Sequence, residues 1–159
     1  MVQLCFGIWE NHYYEGEWAM NDETNCLDLH GYGILVYEDG STIVEGYFAN
    51  GLVEGKCREI TSLYMFEGNM SDGVKHGAGK LVDEKSTFEG TWEYGYKEGK
   101  GKLTEKIRHG NKVTHGYWKE DLLDGVATEI TDGKSKDIIY KEGSECLFGD
   151  SANTIAMNQ

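Results

Sequence analysis

A five-residue phrase, FEGTW at Phe88 to Trp92, is the feature that most limits what this chain can fold into. Its relatives are YEGEW (Tyr14 to Trp18), VEGYF (Val44 to Phe48), FEGNM (Phe66 to Met70), THGYW (Thr114 to Trp118) and a worn KEGSE (Lys141 to Glu145). The phrase glycines are Gly16, Gly46, Gly68, Gly90, Gly116 and Gly143, and Gly46, Gly68 and Gly90 are spaced by 22 residues. A second glycine follows nine positions later in four copies, as Gly55, Gly77, Gly99 and Gly125. In the first copy an insertion around Met20 to Leu29 delays its counterpart to Gly31. Two positions further on stand Gly33, Cys57, Gly79, Gly101 and Ala127, so this slot wants a small residue. Shared phrase, offset and period mark a repeat architecture, in which a unit buries its apolar face by stacking on the next.

Each unit has a readable local structure. The stretch GILVYEDGSTIVEGYF alternates around Asp39-Gly40, and Asp-Gly between two strand-like runs predicts a hairpin with a type I′ turn. Comparable turns are expected near Asp83-Glu84, His109-Gly110 and Asp132-Gly133. One unit is then strand, tight turn, strand and a glycine-punctuated connection. Strand side chains alternate, so Phe88, Gly90 and Trp92 share one face, with Glu89 and Thr91 on the other. Tyr14-Gly16-Trp18 and Phe66-Gly68-Met70 repeat the arrangement. The hole at Gly90 is expected to admit a ring from an adjacent hairpin. The predicted fold is all-β: an elongated, twisted single-layer sheet of stacked antiparallel hairpins, five to six repeats over residues 1–146. Residues 147–159 lack the repeat and form a tail. Asp150 or Ser151 can cap a short helix through Ile155 and Met157, which would cover the open edge of the last repeat or meet a partner.

The units FEGNMSDGVKHGAGKL (Phe66 to Leu81) and FEGTWEYGYKEGKGKL (Phe88 to Leu103) resemble MORN repeats, whose pattern runs Tyr-x-Gly-x-Trp/Phe-x-x-Gly-x-x-x-Gly-x-Gly. VEGYFANGLVEGKC (Val44 to Cys57) fits with Cys57 in place of the last glycine. The similarity runs over roughly residues 13 to 145, departing at the insertion after Trp18 and at Asp121, where the pattern has its middle glycine. The resemblance implies a curved β-hairpin solenoid with an aromatic and acidic groove. It also implies a scaffold that tethers cytoskeletal, ciliary or membrane-associated complexes, often as a dimer, and binds helical or extended partner segments. Some relatives are described as phospholipid binders. Tyr37 to Gly55 further resembles the MORN region preceding a SET-type lysine methyltransferase domain, but no SET-like sequence follows.

Composition narrows the partners. The formal net charge is -13 and the pI about 4.7. Phosphate neutralisation needs a basic patch, and none is visible in the sequence, which argues against nucleic acid and disfavours an anionic lipid surface. A basic or amphipathic protein segment is the natural counterpart. Glycine supplies 22 residues and proline none, while aromatic residues make up 12%, a mixture that indicates ordered turns and buried rings. Cys5, Cys26, Cys57 and Cys146 form no CxxC pair, and no apolar run is long enough for a signal peptide or membrane span, so a reducing cytoplasmic setting is expected.

The sequence carries no catalytic signature. GxSxG, P-loop and HExxH motifs are absent, and the GxG pairs belong to strands rather than to a helix N-terminus. Cys26 and His30, with His12 nearby in sequence, are too loosely spaced for a zinc site, so no metal or cofactor is expected. Glu15, Glu45, Glu67, Glu89 and Glu142 precede phrase glycines and should form a row. A row at every repeat is not a catalytic pair in a pocket, and bonds to loop amides or to lysines such as Lys56 or Lys100 are expected for it. A non-enzymatic scaffold is therefore predicted. Its partner groove is expected from Tyr14, Trp18, Tyr32, Tyr47, Phe48, Tyr94, Tyr96, Tyr117 and Trp118, with Gly16, Gly46, Gly68, Gly90 and Gly116 as structural residues. The alternatives are a membrane-surface adaptor and a regulatory relative of a MORN–SET enzyme.

Overall fold

The computed structural model describes residues 3–9, 12–22 and 25–146. They form one antiparallel sheet of fourteen strands, each paired with its neighbours in sequence. The strands are β1 Gln3–Trp9, β2 His12–Asn21, β3 Cys26–Val36, β4 Ile43–Ala49, β5 Leu52–Ile60, β6 Tyr64–Ser71 and β7 Val74–Asp83. There follow β8 Ser86–Glu93, β9 Tyr96–Ile107, β10 Gly110–Lys119, β11 Leu122–Leu123, β12 Gly125–Thr131, β13 Lys134–Lys141 and β14 Ser144–Glu145. Only β11 leaves the main path, pairing on β10 beside β12. The all-β hairpin stack expected from the repeat is what the chain adopts. The tail and its helix lie outside the described residues.

A ring seated on two glycines is the recurrent packing unit. Gly90 pairs across the strands with Gly101, and the ring of Phe88 lies over both: a side chain would meet Phe88 Cζ at 2.6 Å from Gly90 and at 2.5 Å from Gly101. Phe66 covers the pair Gly68 and Gly79 in the same way, and Tyr14 covers Gly16 and Gly33. The expectation that the hole receives a ring from a neighbouring hairpin is corrected here. The first ring of the phrase folds back along its own strand, because its own glycine and that glycine's cross-strand partner are the nearest open backbone.

The second ring of the phrase links repeats. Trp92 stands edge-on to Phe88 of its own repeat at 5.4 Å and to Phe66 of the preceding one at 5.5 Å. Phe48 reaches back to Tyr14 at 5.2 Å, and Trp118 to Phe88 at 5.0 Å. These are the favourable edge-to-face arrangements of ring quadrupoles. Lys97 Nζ lies 5.1 Å from the centre of the Phe88 ring, and Lys75 does the same over Phe66. Rings thus covered are buried on a sheet with no second layer among the described residues: Tyr14, Phe66 and Phe88 are at most 1% exposed.

Seat and ring vary together. Where the first phrase residue is Val44, the third slot holds Cys57; where it is Thr114, the slot holds Ala127, and these four are buried too. A smaller occupant leaves volume that a Cβ or thiol fills, and interiors tolerate neither void nor overlap.

The remaining glycines serve the backbone. Gly31, Gly55, Gly77, Gly99 and Gly125 all have positive φ, and in three repeats the register shifts beside this glycine, between Gly46 and Phe48, Gly68 and Met70, and Gly90 and Trp92. They relieve a β-bulge, a role glycine fills at no steric cost. Gly31, φ 60°, is thereby the delayed counterpart in the first repeat.

Turns join strands near Asp83-Glu84, His109-Gly110 and Asp132-Gly133 as expected, but the Asp39-Gly40 turn is not of type I′. Around Asp39-Gly40 only Gly40 has positive φ, and Gly40 N donates to Tyr37 O inside a wider loop closed by Tyr37 N to Thr42 O. Asp39 carboxylate oxygens accept from Ser41 N and Ser41 Oγ, which holds this residue outside the left-handed region. Two-residue turns with both φ positive lie inside the motif itself, at Asn50-Gly51, Asp72-Gly73, Tyr94-Gly95 and Glu120-Asp121, and again at Asp132-Gly133 and Glu142-Gly143. Asp121 thus adopts, at φ 69°, the conformation that glycine supplies elsewhere. Successive turns are tied by main-chain bonds: Gly51 N to Leu29 O, Gly73 N to Val53 O, Gly95 N to Lys75 O, Asp121 N to Lys97 O and Gly143 N to Leu123 O, all 2.9–3.1 Å.

Two outcomes test this packing. Gly79→Ala should destabilise the chain by about 2 kcal/mol in urea unfolding, since its Cβ would collide with Phe66. Alanine at the uncrowded Gly40 should cost about 1 kcal/mol from its backbone conformation alone; equal effects would contradict the seat. Thr114 Oγ1 is buried without a hydrogen-bond partner among the described residues. Thr114→Val, which matches Val44 in shape and position, should therefore be neutral or stabilise by about 1 kcal/mol.

Candidate functional site

The residues expected to line a groove divide between the two faces. Tyr14, Trp18, Phe48 and Trp118 are buried in the core and present nothing to a partner, which corrects their assignment. Their burial follows from their even spacing from the phrase glycine, which places them beside the ring seat. Tyr32, Tyr47, Tyr94, Tyr96 and Tyr117 project away from it, exposed at 44, 55, 77, 52 and 51%. Tyr32, Tyr47 and Tyr117 stand on strands β3, β4 and β10, whereas Tyr94 lies in a tight turn and Tyr96 opens β9.

The face opposite the core is organised by strand register. Pairing places Glu45 beside Arg58, Arg58 beside Glu67, Glu67 beside Lys80, Lys80 beside Glu89, Glu89 beside Lys102 and Lys102 beside His115. Of the row of acids expected from the phrase, Glu15, Glu45, Glu67 and Glu89 stand in register on strands, whereas Glu142 lies in a tight turn outside it; from Glu45 onward the row is interleaved with cations. Arg58 Nε lies 3.5 Å from Glu67, and Glu89 receives Lys80 at 3.0 Å and Lys102 at 3.7 Å. Lys56 and Lys100, named as partners from the sequence, occupy the adjoining row instead: Lys56 pairs with Asn69 and Lys100 with Tyr117. The bulge re-phases the strand between the two rows, a shift that spacing alone does not display.

Two shallow concavities lie between these rows. One of about 490 Å³ is lined by Tyr32, Glu45, Tyr47, Lys56, Arg58 and Glu67 among others. Its tyrosines meet edge-on at 5.4 Å, and Tyr32 Oη donates to Glu45 Oε1 at 2.5 Å. That bond, to an anionic acceptor, raises the Tyr32 pKa above its ordinary value. The second, about 480 Å³, is lined by Glu89, Lys100, Lys102, His115 and Tyr117, with Gly101 and Gly116 in its floor. Lys100 Nζ stands 5.7 Å from the centre of the Tyr117 ring. Both are open dishes suited to a flexible chain, unlike the enclosed clefts that surround small substrates.

Catalytic chemistry finds little support in this geometry. The hydrogen bond and charge of Lys80, helped by Lys102, hold the Glu89 carboxyl below its usual range, the reverse of a group tuned to give up a proton near neutrality. Burial pushes the Cys57 thiol up to about 11, far from the thiolate a nucleophile requires. The donors weighed for zinc are spread along β2 and β3. Cys26 lies opposite Asn21, His30 opposite Glu17, and His12 begins β2, so Cys26 and His12 are ~30 Å apart along the strand. His12 Nδ1 accepts from Glu38 N, and its ring packs on Tyr37. Among the described residues no group of three His, Cys, Asp or Glu side chains could hold a metal ion.

Glu89→Gln should lower stability by less than about 1 kcal/mol at neutral pH, because the pairs are solvent-screened. A carboxylate with a lowered folded-state pKa stabilises above its unfolded value of about 4.3, and that contribution is lost as pH falls through the folded pKa. The difference between wild type and Glu89→Gln in urea titrations should therefore vanish on acidification; a difference that grows would contradict the ladder.

A family model described as MORN repeat matches residues 28–42, 66–86 and 88–104. The second and third matches each contain one complete ring seat, its tight turn and its bulge glycine, on β6–β7 and β8–β9. No curated protein matches the chain. With the repeat model, the 22-residue period and the shared seat in agreement, the chain carries MORN repeats.

Proposed function

We propose that this chain is a non-enzymatic scaffold or adaptor that holds a protein segment against its sheet. MORN repeats support an interaction module in general terms. The observation that carries the reading is the set of exposed tyrosines. Folding buries one aromatic face, yet Tyr32, Tyr47, Tyr94, Tyr96 and Tyr117 lie outside that core, exposed at 44% or more. Tyrosine offers large contact area at low conformational cost and both an apolar body and a polar tip, which is why it recurs at interfaces. A continuous hydrogen-bonded sheet keeps such side chains at fixed separations, so a partner meets an ordered surface. Membership of a cytoskeletal, ciliary or membrane-associated complex in the cytoplasm is part of this proposal, and a basic or amphipathic segment is the partner it favours.

Affinity purification of tagged full-length chain, beside a Tyr32→Ser, Tyr47→Ser, Tyr117→Ser variant, tests it. The variant should fold, because none of the three is in the core, and should lose at least one captured protein by about tenfold. Identical captures from both would contradict a role for the tyrosine face. Methyl transfer from the usual sulfonium cofactor to any protein substrate would overturn the non-enzyme reading, and flotation with anionic liposomes at moderate salt would favour a lipid adaptor.

A further inference from the structure

One position in each repeat belongs neither to the core nor to the charge ladder. Leu52, Val74, Tyr96 and Leu122 each directly follow a tight turn, and all four are exposed. Main-chain bonds between successive turns bring them to one edge of the sheet. Three of them lean toward the next turn: a side chain at Gly73 would meet Leu52 at 3.8 Å, one at Gly95 would meet Val74 at 3.3 Å, and one at Gly143 would meet Leu122 at 3.1 Å. With Tyr94 they make an apolar ridge along several repeats. Scattered exposed apolar residues need no explanation, but recurrence at one repeat position on one edge marks a surface that is used.

The charge beside the ridge identifies the occupant. Glu54, Asp72, Glu93, Glu98, Glu120 and Glu142 lie at or next to these turns, and none is in an ion pair among the described residues. Glu54 and Glu98 accept the amides of Asp72 and Glu120, which orients them without neutralising them. Lys75 and Lys97, from the same turns, lie over Phe66 and Phe88 instead. On the sheet face Glu67 and Glu89 are paired with cations, and at the turns the carboxylates outnumber the lysines unpaired among the described residues, Lys119 and Lys141, so an excess of negative charge gathers at the edge. A second copy of this edge would be repelled by it, as would an anionic lipid surface.

We infer that the turn edge docks a basic protein segment with one apolar side, its apolar side chains on the Leu52–Val74–Tyr96–Leu122 ridge and its lysines or arginines against the flanking carboxylates. This rests on the interaction-module reading and places the contact at the edge of the sheet, away from the tyrosine-lined dishes. Fluorescence anisotropy of full-length chain with a synthetic helix-forming peptide of about 20 residues, leucine on one side and lysine on the other, tests it. Control peptides carry glutamate for lysine, or the same composition scrambled. The lysine–leucine peptide should bind at least about tenfold tighter than either control and weaken with salt. Leu52→Ser, Val74→Ser, Tyr96→Ser and Leu122→Ser together should lower that affinity about tenfold, while the Tyr32, Tyr47 and Tyr117 serine variant keeps it within about twofold. Circular dichroism must show both variants folded, as their exposure predicts.

Binding untouched by the edge substitutions overturns the inference, as does failure of the wild type to prefer the amphipathic peptide. Loss confined to the tyrosine variant overturns it while leaving the interaction-module reading standing. A dimer in sedimentation that the edge substitutions dissolve would assign the ridge to a second copy and overturn it too.

Discussion

A ring seated over two paired glycines is the contact on which the rest of the structure depends. A single-layer sheet has no opposing layer against which to bury apolar side chains, and an isolated hairpin is marginal in water. Phe88 over Gly90 and Gly101 solves this within one repeat, because missing side chains on two paired strands make a recess as wide as a ring. The next repeat then closes the recess with Trp118, and the preceding one shares Trp92. Burial of each ring contributes about 1.5–3 kcal/mol, and each ring depends on neighbours on both sides, so stability is distributed along the stack.

That solution frees other parts of the chain. Because the aromatic residues of one face hold the repeats together, the opposite face carries a ladder of alternating charge set only by register. The turn edge carries what neither face needs. Turn-to-turn bonds such as Gly73 N to Val53 O and Gly95 N to Lys75 O stiffen that edge, so side chains placed there keep their spacing. Among the described residues the result is an ordered presenting surface with shallow, open concavities.

Much of this was legible in the phrase. Alternation put Phe88, Gly90 and Trp92 on one face and Glu89 on the other, and the small third slot announced a close approach. What was not legible depended on geometry that residue spacing does not encode. The strong Asp39-Gly40 signal marks a place where Ser41 stabilises a wider loop; among the tight turns Asn50-Gly51, Asp72-Gly73 and Asp132-Gly133 carry equally strong turn chemistry, whereas Tyr94-Gly95 and Glu120-Asp121 do not announce themselves. Tyr14, Trp18, Phe48 and Trp118 were assigned to a groove although their own spacing placed them with the buried rings; Tyr32, Tyr47 and Tyr117 differ by one register step. Alternation along the strand sets that step, while the bulge beside Gly99 shifts the pairing of β8 with β9, which is why Lys102, rather than Lys100, meets Glu89.

The volume match between ring and seat is the central claim, and a double-mutant cycle addresses it directly. Phe88→Val removes the ring, Gly101→Cys fills the seat, and the two together rebuild in this repeat the pair that Val44 and Cys57 make naturally. Each single change should destabilise the chain by about 2–3 kcal/mol in urea unfolding, one by a void and the other by overlap. The double variant should be more stable than the sum of the two predicts, by about 2 kcal/mol. Strict additivity would show that Phe88 and Gly101 do not share one space, and would contradict the account.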